Sequence, residues 1–436
     1  MAELAELVSK AEKVLREGLI LCDSCLGRLF GMKGYGMTNF QRGLALKTLL
    51  LMKAYEQATR EVDEPLVIAL AESGFEPAKV LARRLRLSFE EKVCQLCRGI
   101  TGKVEEIAKL VASMLAPYEY QTFQVGVRLP ASVIAMEERL WRAYKLAHAE
   151  SLKNELSREV GKALQRFTGR AYAYEKPEIL VILDFPELDL GKLQVEIHPA
   201  PVYVCGRYLK LVRGLPQNPW PYEDERVRFK TSIEELITAP MIKLFEASAA
   251  KLHAAGREDI DARTLGSGRP FVVELKKPRR RNVDLLELER VINENSGGLI
   301  RVQHLRYCTR EAVRKYKSLA ELARKTYVAR VRFAAPVSAE KLSELEKAMT
   351  GIVVEQRTPT RVLHRRVDKL RKKVVYRVTA KQLSESEVEF TIEAQGGLYV
   401  KEFIHGDGGR TKPNVADFLG VPVESIELDV VNIEEP

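Results

Sequence analysis

The spacing of apolar residues divides this chain into helices and strands before any single residue is singled out. Leu4, Leu7, Val8, Ala11, Val14 and Leu15 recur at three- and four-residue intervals, which predicts an amphipathic helix over 3–19. From 41 to 85 the pattern reads helix, then a short apolar run at Leu66–Leu70, then a basic segment. A second unit opens with a strand at 123–129 (FQVGVRL), followed by a helix over 137–165 that aligns Leu152, Leu156, Val160 and Ala163 on one face. The run ILVILDF (179–185), bounded by Lys176-Pro177 and Pro186, predicts a strand covered on both faces. Beyond about 196 the segment 198–220 is hairpin-like, 232–252 is helical, and strands are expected at Phe271–Leu275, 325–333, 374–380 and 388–404. This mixture is of the α+β class.

Composition narrows the picture. At 436 residues with 46% hydrophobic content the chain can bury at least two cores. A formal charge of +10 favours an anionic partner, because lysine and arginine against phosphate release condensed counterions, though many basic proteins are only solvated. No apolar stretch approaches the ~18 residues needed to cross a bilayer, and MAELAELVSKAEKV lacks the apolar core of a signal peptide. A cytoplasmic protein without a membrane partner is expected. The 30% share of charged residues fits the ion-pair networks of a thermophile.

Four of the six cysteines fall in two tight pairs, Cys22-x-x-Cys25 and Cys94-x-x-Cys97. Four thiolates complete a tetrahedral zinc shell with no open position, so the expected ion is structural, one per chain. The long span between the pairs requires a folded insert to bring them together, and the bland reading is two unrelated pairs or local disulfides. Cys205 and Cys308 read as small core residues.

The loop Gly256-Arg257-Glu258-Asp259-Ile260-Asp261-Ala262-Arg263 sets three acids and two arginines just ahead of an apolar strand. Such a loop can hold a carboxylate exposed yet aimed, and an adjacent arginine favours its charged form, as a nucleophile requires. A solvated charged turn is the competing reading. Between 357 and 377 stand Arg357, Arg361, Arg365, Arg366, Lys369, Arg371, Lys372, Lys373 and Arg377 against the single acid Asp368, a local excess suited to phosphate. A second basic cluster, 276–281, follows the strand after the acidic loop.

HPAPVYVCGRYLKLVRGLPQNPW (198–220), GREDIDARTLGSGRPFVVEL (256–275), QRTPTRVLHRRVDKLRKK (356–373) and LYVKEFIHGDGGRTKPN (398–414) together resemble the archaeal and eukaryotic tRNA pseudouridine synthases that carry an N-terminal THUMP domain. The resemblance implies a catalytic domain over 196–436 on a mixed, mostly antiparallel sheet flanked by helices, with a basic thumb loop at about 356–376. It implies a helical zinc-knuckle segment (1–110) and a THUMP-type domain (111–195) forming one accessory module. It also implies Asp259 as nucleophile, Tyr327 stacking on the target base, Lys401 pairing with the aspartate and Leu428 lining the pocket. Arg257, Arg263, Arg357, Arg361, Arg365, Arg366, Lys372 and Lys373 are the expected RNA contacts. The implied substrate is tRNA, held by its T-arm and acceptor end and modified at uridine 54, 55 or both, by a monomer needing no organic cofactor and no protein partner.

Two other classes stay open at this stage. A non-catalytic zinc-containing tRNA-binding protein would use the same charge, metal and thumb. Another THUMP-containing enzyme is the second, but Ser296-Gly297-Gly298 leads into Leu299 and Ile300 without the aspartate and serine of a thiolation loop, and no glycine-rich turn suits a methyl-donor nucleotide.

Overall fold

The computed structural model describes residues 2–31, 33–56, 61–220, 226–364 and 366–434. Internal contacts divide the chain into two units, Met1–Ala200 and Pro201–Pro436. Among the described residues no helix is long and apolar enough to cross a membrane.

The first unit is a helical array joined to a small sheet. Helices at Ala2–Arg16, Asn39–Ala54, Glu64–Glu72 and Glu76–Arg84 bury Val14, Leu50, Leu66 and Leu70 in one core. The apolar run 66–70 is thus helical: Asp63 caps it and a proline stands in its first turn, the arrangement that starts a helix. The sheet comprises β1 (Thr122–Arg128), β2 (Ala171–Tyr172), β3 (Ile179–Asp184) and β4 (Gln194–Pro199) in the order β2-β1-β3-β4. Two differences from expectation have simple causes. The helix predicted over 137–165 is two helices, Ala131–Ala143 and Leu152–Thr168, because Ser151 caps the second. The apolar strand β3 buries Ile179, Val181 and Leu183 and leaves Leu180 and Ile182 half-covered, so it is covered fully on one face only.

The second unit is built on a mixed sheet of ten strands. They are β5 (Val202–Lys210), β6 (Ala249–Ala254), β7 (Arg263–Lys276), β8 (Ile300–Cys308), β9 (Arg324–Phe333), β10 (Ile352–Gln356), β11 (Arg371–Gln382), β12 (Glu387–Gln395), β13 (Thr411–Lys412) and β14 (Val423–Ile433). Their order is β8-β5-β7-β14-β9-β12-β11-β10-β13, with β6 paired to β7. Every pair is antiparallel except β14 with β7, which run parallel at Asp429↔Arg263 and Val430↔Thr264. One core lies under β5 and β7 with the helices Ile233–Phe245 and Leu285–Asn295, and another under β9, β12 and β11.

Strand β7 lies between β14 and β5 and meets both at Thr264; past it the register with β5 shifts across Leu265-Gly266-Ser267-Gly268, and pairing resumes at Arg269. Gly266 sits at φ +56°, and a Cβ there would lie 2.1 Å from the Val431 carbonyl oxygen, so only glycine permits this close approach. Three boundaries depart from the sequence reading. The segment 232–252 is a helix ending at Phe245 and then a strand, because Glu246 takes a left-handed conformation that stops the helix. The strand expected over 388–404 ends at Gln395, and after Gly396-Gly397 the chain turns into the helix Val400–His405. Of the basic stretch, Arg371, Lys372, Lys373 and Arg377 belong to strand β11, where alternation with Val375 and Val378 gives them a sheet role that charge counting conceals.

Candidate active site

Three neighbouring strands and one helix converge on a single cavity of about 970 Å³. The parallel pairing of β7 with β14 brings the turn just before β7 beside Leu428 and Val430, and β14 in turn pairs Val430 with Tyr327 and Leu428 with Ala329. Helix Val400–His405, which follows the β12 strand next to β9, supplies Lys401. Asp259, Asp261, Tyr327, Lys401, Leu428 and Lys325 all line the cavity.

The turn that carries Asp259 is propped from below. The Ala262 amide donates to the Asp259 carbonyl at 3.1 Å, and Gly214 N donates to the Ile260 carbonyl at 2.8 Å. Lys210, fully buried, donates from Nζ to the carbonyls of Asp259 at 3.1 Å and Ile260 at 2.7 Å. Burial pushes its pKa down to about 8, against the opposing pull of Glu258, Asp261 and Asp259. Arg213 Nη1 donates to the carbonyls of Asp261 at 2.8 Å and Leu428 at 2.7 Å, tying the turn to β14.

Glu258, expected as one of three acids in an exposed loop, is an interior residue. Its side chain is 1% exposed, and Arg269 Nε stands 2.8 Å from Oε2. Tyr208 donates from its hydroxyl to the same carboxylate at 2.9 Å and accepts from Gln217 Nε2 at 2.8 Å. A carboxylate buried with a cation and a hydroxyl donor is tolerable where an unpaired one is not. The pair thereby fixes Gly256–Asp259 to the start of the sheet.

At the cavity wall Asp259 accepts from Arg361 Nη1 at Oδ1, 2.8 Å, while Lys401 Nζ lies 3.9 Å from Oδ2. Lys401 is nearer to Asp261, 2.6 Å from its Oδ2. Desolvation works to raise the Asp261 pKa, and the Lys401 ammonium overrides it, so the carboxyl stays below its ordinary value. Tyr327 is 7% exposed; burial, opposed by Arg269 and reinforced by Asp259, pushes its phenol up to about 12, which leaves a neutral aromatic face at physiological pH. Lys325, two residues earlier and 5% exposed, has its pKa pushed down to about 7 by burial and by Arg269.

The expected RNA contacts divide between the cavity lining and its surroundings. Arg257 is exposed and stands over the Trp220 ring at 5.3 Å. Arg263 is spent on Asp429, with Nε 2.9 Å from Oδ1 and Nη2 2.5 Å from Oδ2. Arg357 lies 3.5 Å from Asp368, Arg366 donates to the Tyr399 hydroxyl at 2.8 Å, and Lys372 lies 2.9 Å from Glu355. Arg257, Arg361, Arg366, Lys372 and Lys373 line the cavity. Arg365 lies outside the described residues. Sequence reasoning missed Lys210, Arg269, Lys325 and Glu402. Lys210 and Arg269 carried a signal, since each is a long cation set beside an apolar run of its strand.

In the first unit the sulfurs of Cys22, Cys25, Cys94 and Cys97 all lie within 4.8 Å of one another. Cys22 closes the approach to the helix Asp23–Leu29, and positive φ at Arg98 and Gly99 turns the chain just past Cys97. Burial and the three neighbouring sulfurs push the Cys25 thiol well above its ordinary value, against the opposing pull of buried Arg28. The donor set fits a metal ion.

Known proteins resemble the chain along nearly its whole length. Residues 203–434 match the family model described as Pus10, C-terminal, and residues 107–184 the archaeal Pus10 THUMP domain. The tRNA pseudouridine synthase Pus10 of Thermofilum pendens is 56% identical over 429 residues, 98% of this chain and 96% of its own length. That of Methanopyrus kandleri is 42% identical over 422 residues, 94% of each. Among solved structures, a chain of a Cbf5-Nop10-Gar1 complex is similar at 19% identity over 52% of this chain and 58% of its own, with a TM-score of 0.30. The chain belongs to the Pus10 family of tRNA pseudouridine synthases.

Proposed function

We propose that this chain converts uridine to pseudouridine in the T-arm of tRNA, at position 54, 55 or both, with Asp259 as the nucleophile. The observation that supports it best is the convergence of Asp259, Tyr327, Lys401 and Leu428 on one cavity large enough for a nucleotide. The reaction breaks the N1–C1′ bond and forms C5–C1′, while the C5 proton leaves and N1 takes one up, so the uracil is rearranged without net gain or loss of atoms. Asp259 supplies the carboxylate that attacks or assists departure of the base. Tyr327 offers a neutral ring on which the turned-out base stacks, offsetting the few kcal/mol lost on unstacking. Leu428 keeps one wall apolar.

In this reading the second unit, Pro201–Pro436, is the catalytic domain, the boundary falling just past β4 and not at 196, and the first unit is an accessory module that takes the acceptor end. The four cysteines hold one zinc ion, which would cross-link two distant segments of that module and take no part in the reaction. Asp259→Asn tests the central assignment. It should retain tRNA affinity and form no pseudouridine, scored by carbodiimide treatment and primer extension on a tRNA transcript. Product at the parental level would move the nucleophile to another residue, Asp261 first.

A further inference from the structure

Arg361 belongs to a stretch rich in phosphate-seeking cations, yet its guanidinium, though 39% exposed, is tied to two carboxylates. It stands on a single turn, Thr360–Val362, just after β10, and the turn is pinned by Thr360 N donating to Asp407 Oδ2 at 2.9 Å. Arg361 Nε donates to Glu402 Oε1 at 2.7 Å, and Nη1 donates to Asp259 Oδ1 at 2.8 Å. A guanidinium is a rigid plane, so fixing Nε also fixes the direction in which Nη1 points. Glu402 is 1% exposed and follows Lys401 in the helix Val400–His405. Its Oε2 meets no hydrogen-bond donor among the described residues. A buried carboxylate with one oxygen unpaired is costly to keep, and a surface grip on RNA would not need it.

The consequence for Asp259 is atomic. Oδ1 is tied to Arg361, so the carboxylate is held in one rotamer, and Oδ2 is the oxygen left facing Lys401 across 3.9 Å. We infer that Arg361, aimed by buried Glu402, is a positioning residue that presents Oδ2 of Asp259 to the substrate, and is not one of the phosphate contacts of the basic stretch. The inference rests on the reading of Asp259 as nucleophile. It makes Glu402 part of the site although it touches neither base nor nucleophile.

The two roles differ in what salt does. A phosphate contact contributes about 0.9 to the slope of log affinity against log salt, and its removal weakens binding. A positioning contact leaves that slope alone and lowers the rate of the bound complex, where a misplacement of about 1 Å costs on the order of 10²-fold. The full-length chain carrying Arg361→Ala, Arg361→Lys or Glu402→Gln is compared with the parent on one tRNA transcript. Filter binding over a salt series gives affinity and slope; tritium release from 5-tritiated uridine at saturating enzyme gives the single-turnover rate.

Arg361→Ala should lose about 10²-fold in rate and Glu402→Gln about tenfold, with affinity within about twofold of the parent and an unaltered slope. Arg361→Lys keeps the charge but cannot bridge two carboxylates, so its rate stays depressed too, and it carries the test if the alanine variant folds poorly. A parental single-turnover rate, or a slope reduced by about 0.9 with weakened binding, overturns the inference. Asp259→Asn run alongside separates the two failures: activity there removes the nucleophile reading itself, whereas an inert Asp259→Asn beside a fully active Arg361→Ala removes only the role of Arg361.

Discussion

Lys210 holds up the turn that carries Asp259, and its removal has a consequence that can be worked out from its surroundings. The ammonium is fully buried and donates to two carbonyls of that turn. Burial lowers its pKa from 10.5 to about 8 in the folded protein. The unfolded chain, with the ordinary value, binds more protons than the native state between those limits. Stability therefore rises with pH through this window, and on acidification it falls from pH 10.5 to about 8 and then levels off. At ~1.4 kcal/mol per pH unit the window amounts to about 3 kcal/mol. Lys210→Met preserves the length of the stem and removes the titration, so the stability difference, parent minus variant, should grow by about 3 kcal/mol from pH ~7.5 to ~11. The chain has two tryptophans, one in each unit. In a Trp141→Phe background Trp220 reports the unfolding of the second unit alone, and urea titrations at a series of pH values give the difference directly. Buried Lys325 also titrates in this range but is present in both proteins, so the comparison removes it to the extent that the two lysines are independent. A difference that stays flat with pH would refute the argument, because it would mean that burial does not hold Lys210 below its ordinary value.

Three further outcomes follow from the same structure. Glu258→Gln leaves Arg269 as an uncompensated buried cation and should destabilise the second unit by about 3–5 kcal/mol, read by urea unfolding; a change below about 1 kcal/mol would contradict the burial of the pair. Lys369 is exposed beside the cavity, so its replacement by alanine should weaken tRNA binding and reduce the salt slope by about 0.9; filter binding that shows an unaltered slope removes it from the RNA face. The purified chain should carry about one zinc ion that survives dialysis, and the Cys22→Ser, Cys94→Ser double variant none; metal analysis that finds an iron-sulfur spectrum, or no metal in a fully stable preparation, rejects the zinc assignment.

How far the sequence could be read depended on whether a residue's partners were near it in the chain. The α+β class, strand β9 at 324–333 and the cysteine cluster were legible, because strand periodicity and Cys-x-x-Cys spacing are local signals. Strand β7 was seen only in part: its first two residues pair with β14, about 165 residues later in the chain, and nothing local to 263–270 announces a strand containing two glycines. The helix that carries Lys401 was read as strand because Leu398, Val400 and Ile404 fit either period over so short a run, and Gly396-Gly397 was the overlooked break. Within the site, charge density was a poor guide to exposure. Glu258 and Asp261 are three residues apart in one acidic loop, yet the first is buried against Arg269 and the second faces the cavity rim. Only the fold, through Arg269 arriving on β7 behind the turn, decides which acid is structural.

The arrangement of charges at the rim separates chemistry from affinity. Asp259 and Asp261 face Lys401 and Arg361, two acids against two bases within hydrogen-bond or near hydrogen-bond distance. Glu402 adds a third carboxylate behind Arg361. No net positive charge is left there for a phosphate, and cations already engaged by carboxylates release few counterions when RNA arrives. Affinity must then come from cations with open faces, and the exposed ones of the basic stretch, such as Lys369, stand at the same cavity without belonging to this cluster. A mutually restrained cluster with no net positive charge suits a reaction on an uncharged base, since it can orient one carboxylate oxygen without drawing the RNA backbone into the catalytic position. The same division explains why the basic stretch cannot be read as one functional unit. Arg361 and Lys369 are eight positions apart, and the first is bound to the nucleophile and to Glu402 while the second stands exposed at the rim.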